Sequence, residues 1–212
     1  MTITHHFEHE TLLAYAAGSL PEAFNLIVAA HVSLCDDCRA VVESYDSLGG
    51  AVMEDTPAAE MSSGSLDAVL AQLDDLTPAP RAPYIPSTFP APLRSYVGGD
   101  VDAVVWRNIG MGVKQAVLVA AREGTARLLL IPAGEAMPAH SHKGTEMTLV
   151  LQGAYADDDG RFARGDVEIA DGDVDHMPVA EPGEDCVCLI VTDAPLKFKG
   201  IVPRIAQKLA RI

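Results

Sequence analysis

A chain of 212 residues, nearly half of them apolar, is long enough to bury one large core or two small ones. Its formal charge of −15 works against binding nucleic acid or an anionic membrane, and serves either attraction to a basic partner or solubility alone. No eighteen apolar residues run uninterrupted, and the opening Met-Thr-Ile-Thr-His-His lacks a basic region followed by an apolar one. The expectation is therefore a soluble, cytoplasmic protein with no signal peptide and no membrane span.

A short helix is expected over 8–17, with Leu12, Leu13, Tyr15 and Ala16 as its apolar side and Gly18 as its stop. Ser19 as N-cap and Pro21 in the first turn predict a second helix. Its stripe is Leu20, Ala23, Phe24 and Ile27, with His31 on the same face. A third helix is read from Asp36 to Met53, weakened near its end by Gly49-Gly50. A fourth follows Ser62, Ser63 and Ser65, with Leu66, Val69, Leu70, Leu73 and Leu76 on one side. Three or four turns are marginal alone, so that side must pack on its own bundle or in a groove of a partner.

Between Thr77 and Pro92 stand six prolines, a density that suits a semi-extended linker. Beyond it, short β-type runs recur between Gly/Asp turns: Val101 to Trp106, Gln115 to Ala120, Ala126 to Ile131, Met147 to Leu151, Asp166 to Ile169 and Asp185 to Thr192. Such spacing predicts a small barrel or double-sheet jelly roll. The expected fold is thus a multi-domain α + β chain. It comprises a helical domain at 1–77, a Pro-rich linker at 78–92, a barrel at 93–195 and a tail at 196–212.

Four cysteines form two tight pairs, a pattern closer to metal ligation or redox chemistry than to a disulfide framework. In His31-x-x-x-Cys35-x-x-Cys38, His31 ends one helix, Cys35 sits in the bend and Cys38 opens the next helix. Three ligands converge, and a helix N-terminus lowers thiol pKa. A closed tetrahedral zinc site needs a fourth ligand, for which His5, His6 and His9 are available. The competing readings are a redox Cys-x-x-Cys and a core histidine.

The second constellation is Gly134, five residues, His140-x-His142, three residues, Glu146, six residues, Gly153. Residues two apart on an extended chain share a face. His176 follows a second Gly/Asp-rich turn. Three imidazoles and a carboxylate suit zinc or another divalent metal such as Fe, Mn or Ni. With open positions such a site activates water or dioxygen; closed, it holds a barrel together. Cys186 and Cys188 share one face of the last long strand at the edge of disulfide reach, and Met137, Met147 and Met177 flank the ligands. All five are oxidisable, and all five also suit a core.

His6 with His31-Val-Ser-Leu-Cys-Asp-Asp-Cys-Arg39, and Leu13-Ala-Tyr-Ala-Ala-Gly18, resemble the zinc-binding anti-sigma domain. Gly134 to Gly153 resembles the first cupin motif in full. The second is matched at Gly165 and His176, while Asp171, Asp173 and Ala180 depart from it. The whole arrangement resembles the ChrR-type anti-sigma factors. The resemblance implies zinc on His6, His31, Cys35 and Cys38, with His5 as the rival first ligand, and a cupin metal on His140, His142, Glu146 and His176. It further implies a partner, an extracytoplasmic-function sigma factor of the sigma-E type, kept from core RNA polymerase. Release in response to singlet oxygen or oxidative stress follows, with Cys186 and Cys188 as redox-sensing candidates. The alternative is a metal-dependent cupin enzyme, a dioxygenase or isomerase, carrying a zinc-stapled regulatory or oligomerisation domain.

Overall fold

The computed structural model describes residues 2–74, 86–141, 143–171, 175–194 and 197–198. Its helices are α1 (His9–Ala16), α2 (Glu22–Val32), α3 (Asp36–Glu54), α4 (Ser65–Asp74) and α5 (Ala91–Val97). None is long and apolar enough to cross a membrane. Two boundaries differ from expectation. Pro21, not Ser19, stands at the head of α2; the Ser19 hydroxyl turns back and donates to the Ala14 carbonyl at 3.0 Å, closing α1. And α5 forms inside the proline-rich stretch, because Pro90 and Pro92 fall at its cap and first turn, where no intrahelical N–H is needed. Of the 78–92 segment, residues 78–85 lie outside the described residues.

The strands are β1 (Arg107–Gly110), β2 (Val113–Ala121), β3 (Gly124–Ile131), β4 (His140–Ser141), β5 (Glu146–Gln152), β6 (Ala154–Ala156), β7 (Arg161–Ala163), β8 (Val167–Ala170), β9 (Asp175–His176), β10 (Val179–Ala180), β11 (Cys186–Thr192) and β12 (Lys197–Phe198). One six-stranded antiparallel sheet runs β1-β2-β3-β11-β5-β8; two three-stranded sheets run β10-β6-β7 and β12-β4-β9. The expected run at Val101 to Trp106 is instead a single 3-10 turn over Val101–Ala103 leading to β1. Beyond Thr192 only β12 and the turn before it are described; the rest of the 196–212 tail lies outside the described residues.

Alternate residues of the central strands serve two cores. On β11, Val187, Leu189 and Val191 face outward into a cluster with Leu12, Phe24, Ile27, Val28, Phe89 and Leu93, whereas Cys186 and Cys188 face inward with Leu129, Ile131, Val150 and Tyr155. Both faces being covered explains why β11 reads as an unbroken apolar run rather than alternating. Helix α2 lies on the outer face, crossing β2, β3, β5 and β11. Gly124 at the head of β3 permits this approach, since a Cβ there would stand 3.0 Å from the Phe24 ring. Helices α1 and α3 close the far side of α2. The helical segment and the barrel thus share one hydrophobic cluster.

Leu93 of α5 is fully buried in that shared cluster. We expect Leu93→Ala to cost about 2–5 kcal/mol, measured by urea unfolding of the full chain.

Candidate metal centres

The first cluster forms where the chain bends between α2 and α3. His31 sits in the last turn of α2, Cys35 is the N-cap of α3, and Cys38 lies in its first turn. His6 reaches in from the segment before α1, with Nδ1 3.3 Å from Cys35 Sγ and 3.6 Å from Cys38 Sγ. One ligand atom from each of these four residues falls within 4.8 Å of the others, and all but His6 are buried. His5 points elsewhere, its ring tilted against that of Phe162 at a centroid distance of 4.5 Å, and His9 Nδ1 meets the Tyr45 hydroxyl at 3.1 Å.

His31 Nδ1 donates to the Gly165 carbonyl at 2.9 Å. That bond places the proton on Nδ1 and leaves Nε2 as a lone-pair donor. Nε2 is buried with no hydrogen-bond partner among the described residues. A buried polar nitrogen without a partner needs an explanation, and a cation among these four ligands supplies one. Burial lowers the His31 pKa to about 4, so the ring is neutral at pH 7, as a ligand must be. Burial pushes the Cys38 thiol the other way, up to about 11. The helix N-terminus therefore does not win there, and capture of a cation is coupled to release of the thiol proton.

The second cluster lies inside the barrel. Cross-strand pairing of β4 with β9 sets His140 opposite His176, and Glu146 opens β5 beside them. His140 Nδ1 donates to the Pro138 carbonyl at 2.9 Å. His176 Nδ1 faces Asp157 Oδ2 at 2.9 Å and Glu168 Oε1 at 3.0 Å. Both rings are thereby turned so that their Nε2 atoms converge, 3.2 Å apart, with the Glu146 carboxylate within 4.8 Å. Outer acceptors fixing two inward imidazole nitrogens make a donor set that fits a divalent cation. His142 lies outside the described residues, as does Asp173 of the second motif.

Burial raises Glu146 to about 7, against the pull of His176. Burial lowers His176, but its bonds to Glu168 and Asp157 outweigh that and lift it to about 9. A cavity of about 60 Å³ adjoins these groups, walled by Ile109, Leu129, Ile131, Met137 and Ile190, with Arg127 and Tyr155 among its polar lining. Cys188 also lines it, and its sulfur stands 3.5 Å from that of Cys186. A register shift between β11 and β5 at Val187/Cys188 lies beside this pair. Both cysteines are buried, and no disulfide joins them. Met137 joins the cavity wall, Met147 belongs to the outer core and Met177 is exposed.

Four contributors were missed by sequence reasoning: Arg127, Tyr155, Asp157 and Glu168. Arg127 and Glu168 did leave a signal, a charge inside an otherwise apolar strand. Asp157 resembled a surface turn residue in Asp157-Asp-Asp-Gly160, yet its side chain is 1% exposed.

The two clusters are bridged by the turn from β7 to β8. Asp166 Oδ1 accepts from the backbone N–H of Thr4 at 2.7 Å and of His5 at 3.0 Å, and Oδ2 accepts from Ala163 N–H at 2.9 Å. Burial raises the Asp166 pKa, but these bonds outweigh it and hold the group below its ordinary value.

A family model described as the ChrR cupin-like domain matches residues 95–195. The chain is 52% identical over 214 residues to the anti-sigma-E factor ChrR of Cereibacter sphaeroides, covering 100% of both. It is similar to the solved structure of Rhodobacter sphaeroides SigE in complex with the anti-sigma ChrR, at 53% identity and a TM-score of 0.76, over 91% of this chain and 100% of that one. An RmlC-like cupin protein from Ralstonia eutropha matches 48% of this chain and 70% of its own at 23% identity, with a TM-score of 0.42.

A carboxylate with a lowered folded-state pKa contributes stability above its unfolded value of about 4 and loses it as pH falls through the folded value. Asp166→Asn mimics the protonated acid. Its unfolding midpoint should lie below that of the parent chain at pH 7, and the gap should close as the pH drops below about 4, followed by thermal denaturation across pH.

Proposed function

Because this chain belongs to the ChrR family of anti-sigma factors, we propose that it binds and inhibits an extracytoplasmic-function sigma factor of the sigma-E type, keeping it from core RNA polymerase. The observation that carries this reading is the likeness, over nearly the whole chain, to a relative solved in complex with SigE. The role is regulatory rather than catalytic, and it belongs in the cytoplasm, where transcription takes place.

The helical segment suits the role physically. Residues 1–77 carry thirteen carboxylate side chains and a single basic one, Arg39. A sigma factor presents basic surfaces to DNA and polymerase, so this imbalance speeds and steers encounter. On α4, Leu66, Val69, Leu70 and Leu73 are 68%, 55%, 49% and 55% exposed among the described residues. Near the end of α3, Leu48, Val52 and Met53 are exposed as well. Apolar residues at helical spacing, left uncovered by their own fold, match a helix that docks in a partner's groove.

The first cluster, His6, His31, Cys35 and Cys38, we assign to zinc. Zinc would hold the four ligands tetrahedrally and add its binding energy to folding. His31 would be kept in the correct tautomer by Gly165. The second cluster we assign to zinc or another divalent metal such as Fe, Mn or Ni on His140, His142, Glu146 and His176. In this reading 93–195 is the sensory part. It responds to singlet oxygen or related oxidative stress, with Cys186 and Cys188 as the oxidisable pair beside the cavity, and 78–92 joins it to the anti-sigma domain at 1–77.

Three measurements test the proposal. Full-length protein should form a stoichiometric complex with an extracytoplasmic-function sigma factor and suppress its transcription in a purified system. Leu70→Asp with Leu73→Asp should weaken that complex by about 10-fold or more without lowering the unfolding midpoint; unchanged affinity would remove α4 from the interface. Cys35→Ser should lose one cation per chain by elemental analysis and lower the unfolding midpoint, because the metal contributes to folding.

A further inference from the structure

The two clusters are separate in sequence, yet the described structure joins them through one short segment, Ala163 to Glu168. At its start, the turn holds the first cluster from outside. The Gly165 carbonyl accepts from His31 Nδ1 at 2.9 Å. The Asp166 carboxylate accepts the Thr4 and His5 N–H groups, and Val167 N–H donates to the His5 carbonyl at 3.3 Å. His6 is the next residue along that strap. Ile3 packs directly on Gly165, where φ is +93° and an added Cβ would stand 2.6 Å from Ile3 Cδ1. Two of the four residues in the first cluster, His6 and His31, are thus set by this turn.

The end of the same segment holds the second cluster. Glu168 reaches His176 Nδ1 at 3.0 Å, and its other oxygen accepts from the Tyr155 hydroxyl. Strand β5 makes a second connection. It carries Glu146 at its head, and at Val150 it clamps the turn through Gly165 N–H to the Val150 carbonyl at 2.8 Å and Val150 N–H to the Asp166 carbonyl at 3.1 Å. From the carbonyl on His31 to the carboxylate on His176 is three residues along one chain, from the turn at Gly165 into β8 at Glu168. Ladder bonds to β5 fix the strand within it, since Thr148 pairs with Glu168 and Glu146 with Ala170. Little slack remains for one end to move without the other.

We infer that Ala163 to Glu168 is a shared outer support for both clusters, so that filling the His140, Glu146 and His176 centre tightens cation binding at His6, His31, Cys35 and Cys38, and loss of the second loosens the first. Gly165, Asp166 and Glu168 act here as positioning residues; none is placed as a ligand. The inference rests on reading both clusters as cation sites. Coupling of this kind is reciprocal, so occupation of the first site also strengthens the second. It supplies a physical route by which damage inside the barrel is felt at the helical segment. Outer residues that orient a ligand commonly govern 10–100-fold in metal affinity, which sets the expected scale.

The test uses zinc and the full-length chain. Zinc affinity at the first cluster is measured by competition with a chromogenic chelator in the parent chain, His140→Ala, Glu168→Gln, the double variant and Asp166→Asn, with Arg122→Gln as an exposed control. His140→Ala and Glu168→Gln should each weaken the first cluster by about 5-fold or more, and the double variant by no more than either alone. Asp166→Asn should weaken it by about 10-fold, and Arg122→Gln should change nothing. Amide exchange supplies a readout that does not depend on the variants folding. Residues 163–168 of the parent chain should be better protected with two zinc ions than with one. First-cluster affinity that is indifferent to His140→Ala and Glu168→Gln, or unchanged protection, overturns the coupling and leaves the two sites standing. A chain that takes fewer than two cations overturns the metal reading and the coupling with it.

Discussion

The structure depends on burying the central sheet on both faces. β11 and β5 present one set of side chains to the barrel interior and the other set to α2, and both sets are largely buried. A fully buried Val or Leu contributes roughly 1.5–3 kcal/mol relative to exposure. Leu128, Leu149, Leu189 and Val191 are all buried on the outer face. The helices are therefore the second layer of the barrel's own packing, and their placement over the sheet brings the bend between α2 and α3 to the turn between β7 and β8.

That placement explains the polar contacts that follow. Once α2 lies on the sheet, His31 at its last turn is buried, and burial obliges its Nδ1 to find an acceptor. The acceptor it meets belongs to Gly165, in a different part of the chain. The strap before α1 is pinned to the same turn by Asp166. A cluster whose four candidate ligands all lie in the first forty residues is consequently completed by an outer layer from the barrel.

The inside of the barrel follows the same logic with charge. His176, Glu168, Asp157 and Tyr155 form a buried network in which each polar group has a partner, and such networks are rigid when complete. Cys186 and Cys188 sit in the apolar part of the same interior. Helix α4 carries exposed apolar side chains on the outside of the molecule, while Cys188 and the charged groups around it line a small cavity inside. The exposed helix and the buried cavity are kept apart in space and joined through backbone.

Much of this was legible in the sequence, for local reasons. Helical periodicity located α1 to α4, because a stripe of apolar residues at 3.6 spacing is a local property. Ligand spacing marked His31, Cys35 and Cys38, since three side chains within eight residues converge by local geometry alone, and Gly134 to Gly153 marked His140 and Glu146 in the same way. Glycine at 153 has φ +68°, and a Cβ there would meet the Asp185 carbonyl at 2.8 Å, a steric demand that the motif records. What tertiary structure alone decided was everything joined across long sequence distance. It set His6 rather than His5 among the cysteines, because Asp166 and Phe162 draw His5 to the barrel. It put Asp157 in a buried network, and it made burial override the helix terminus at Cys38. It also brought Gly165 to His31 across 134 residues. No local pattern encodes such a meeting, because it arises only when two separately folded surfaces exclude water from between them.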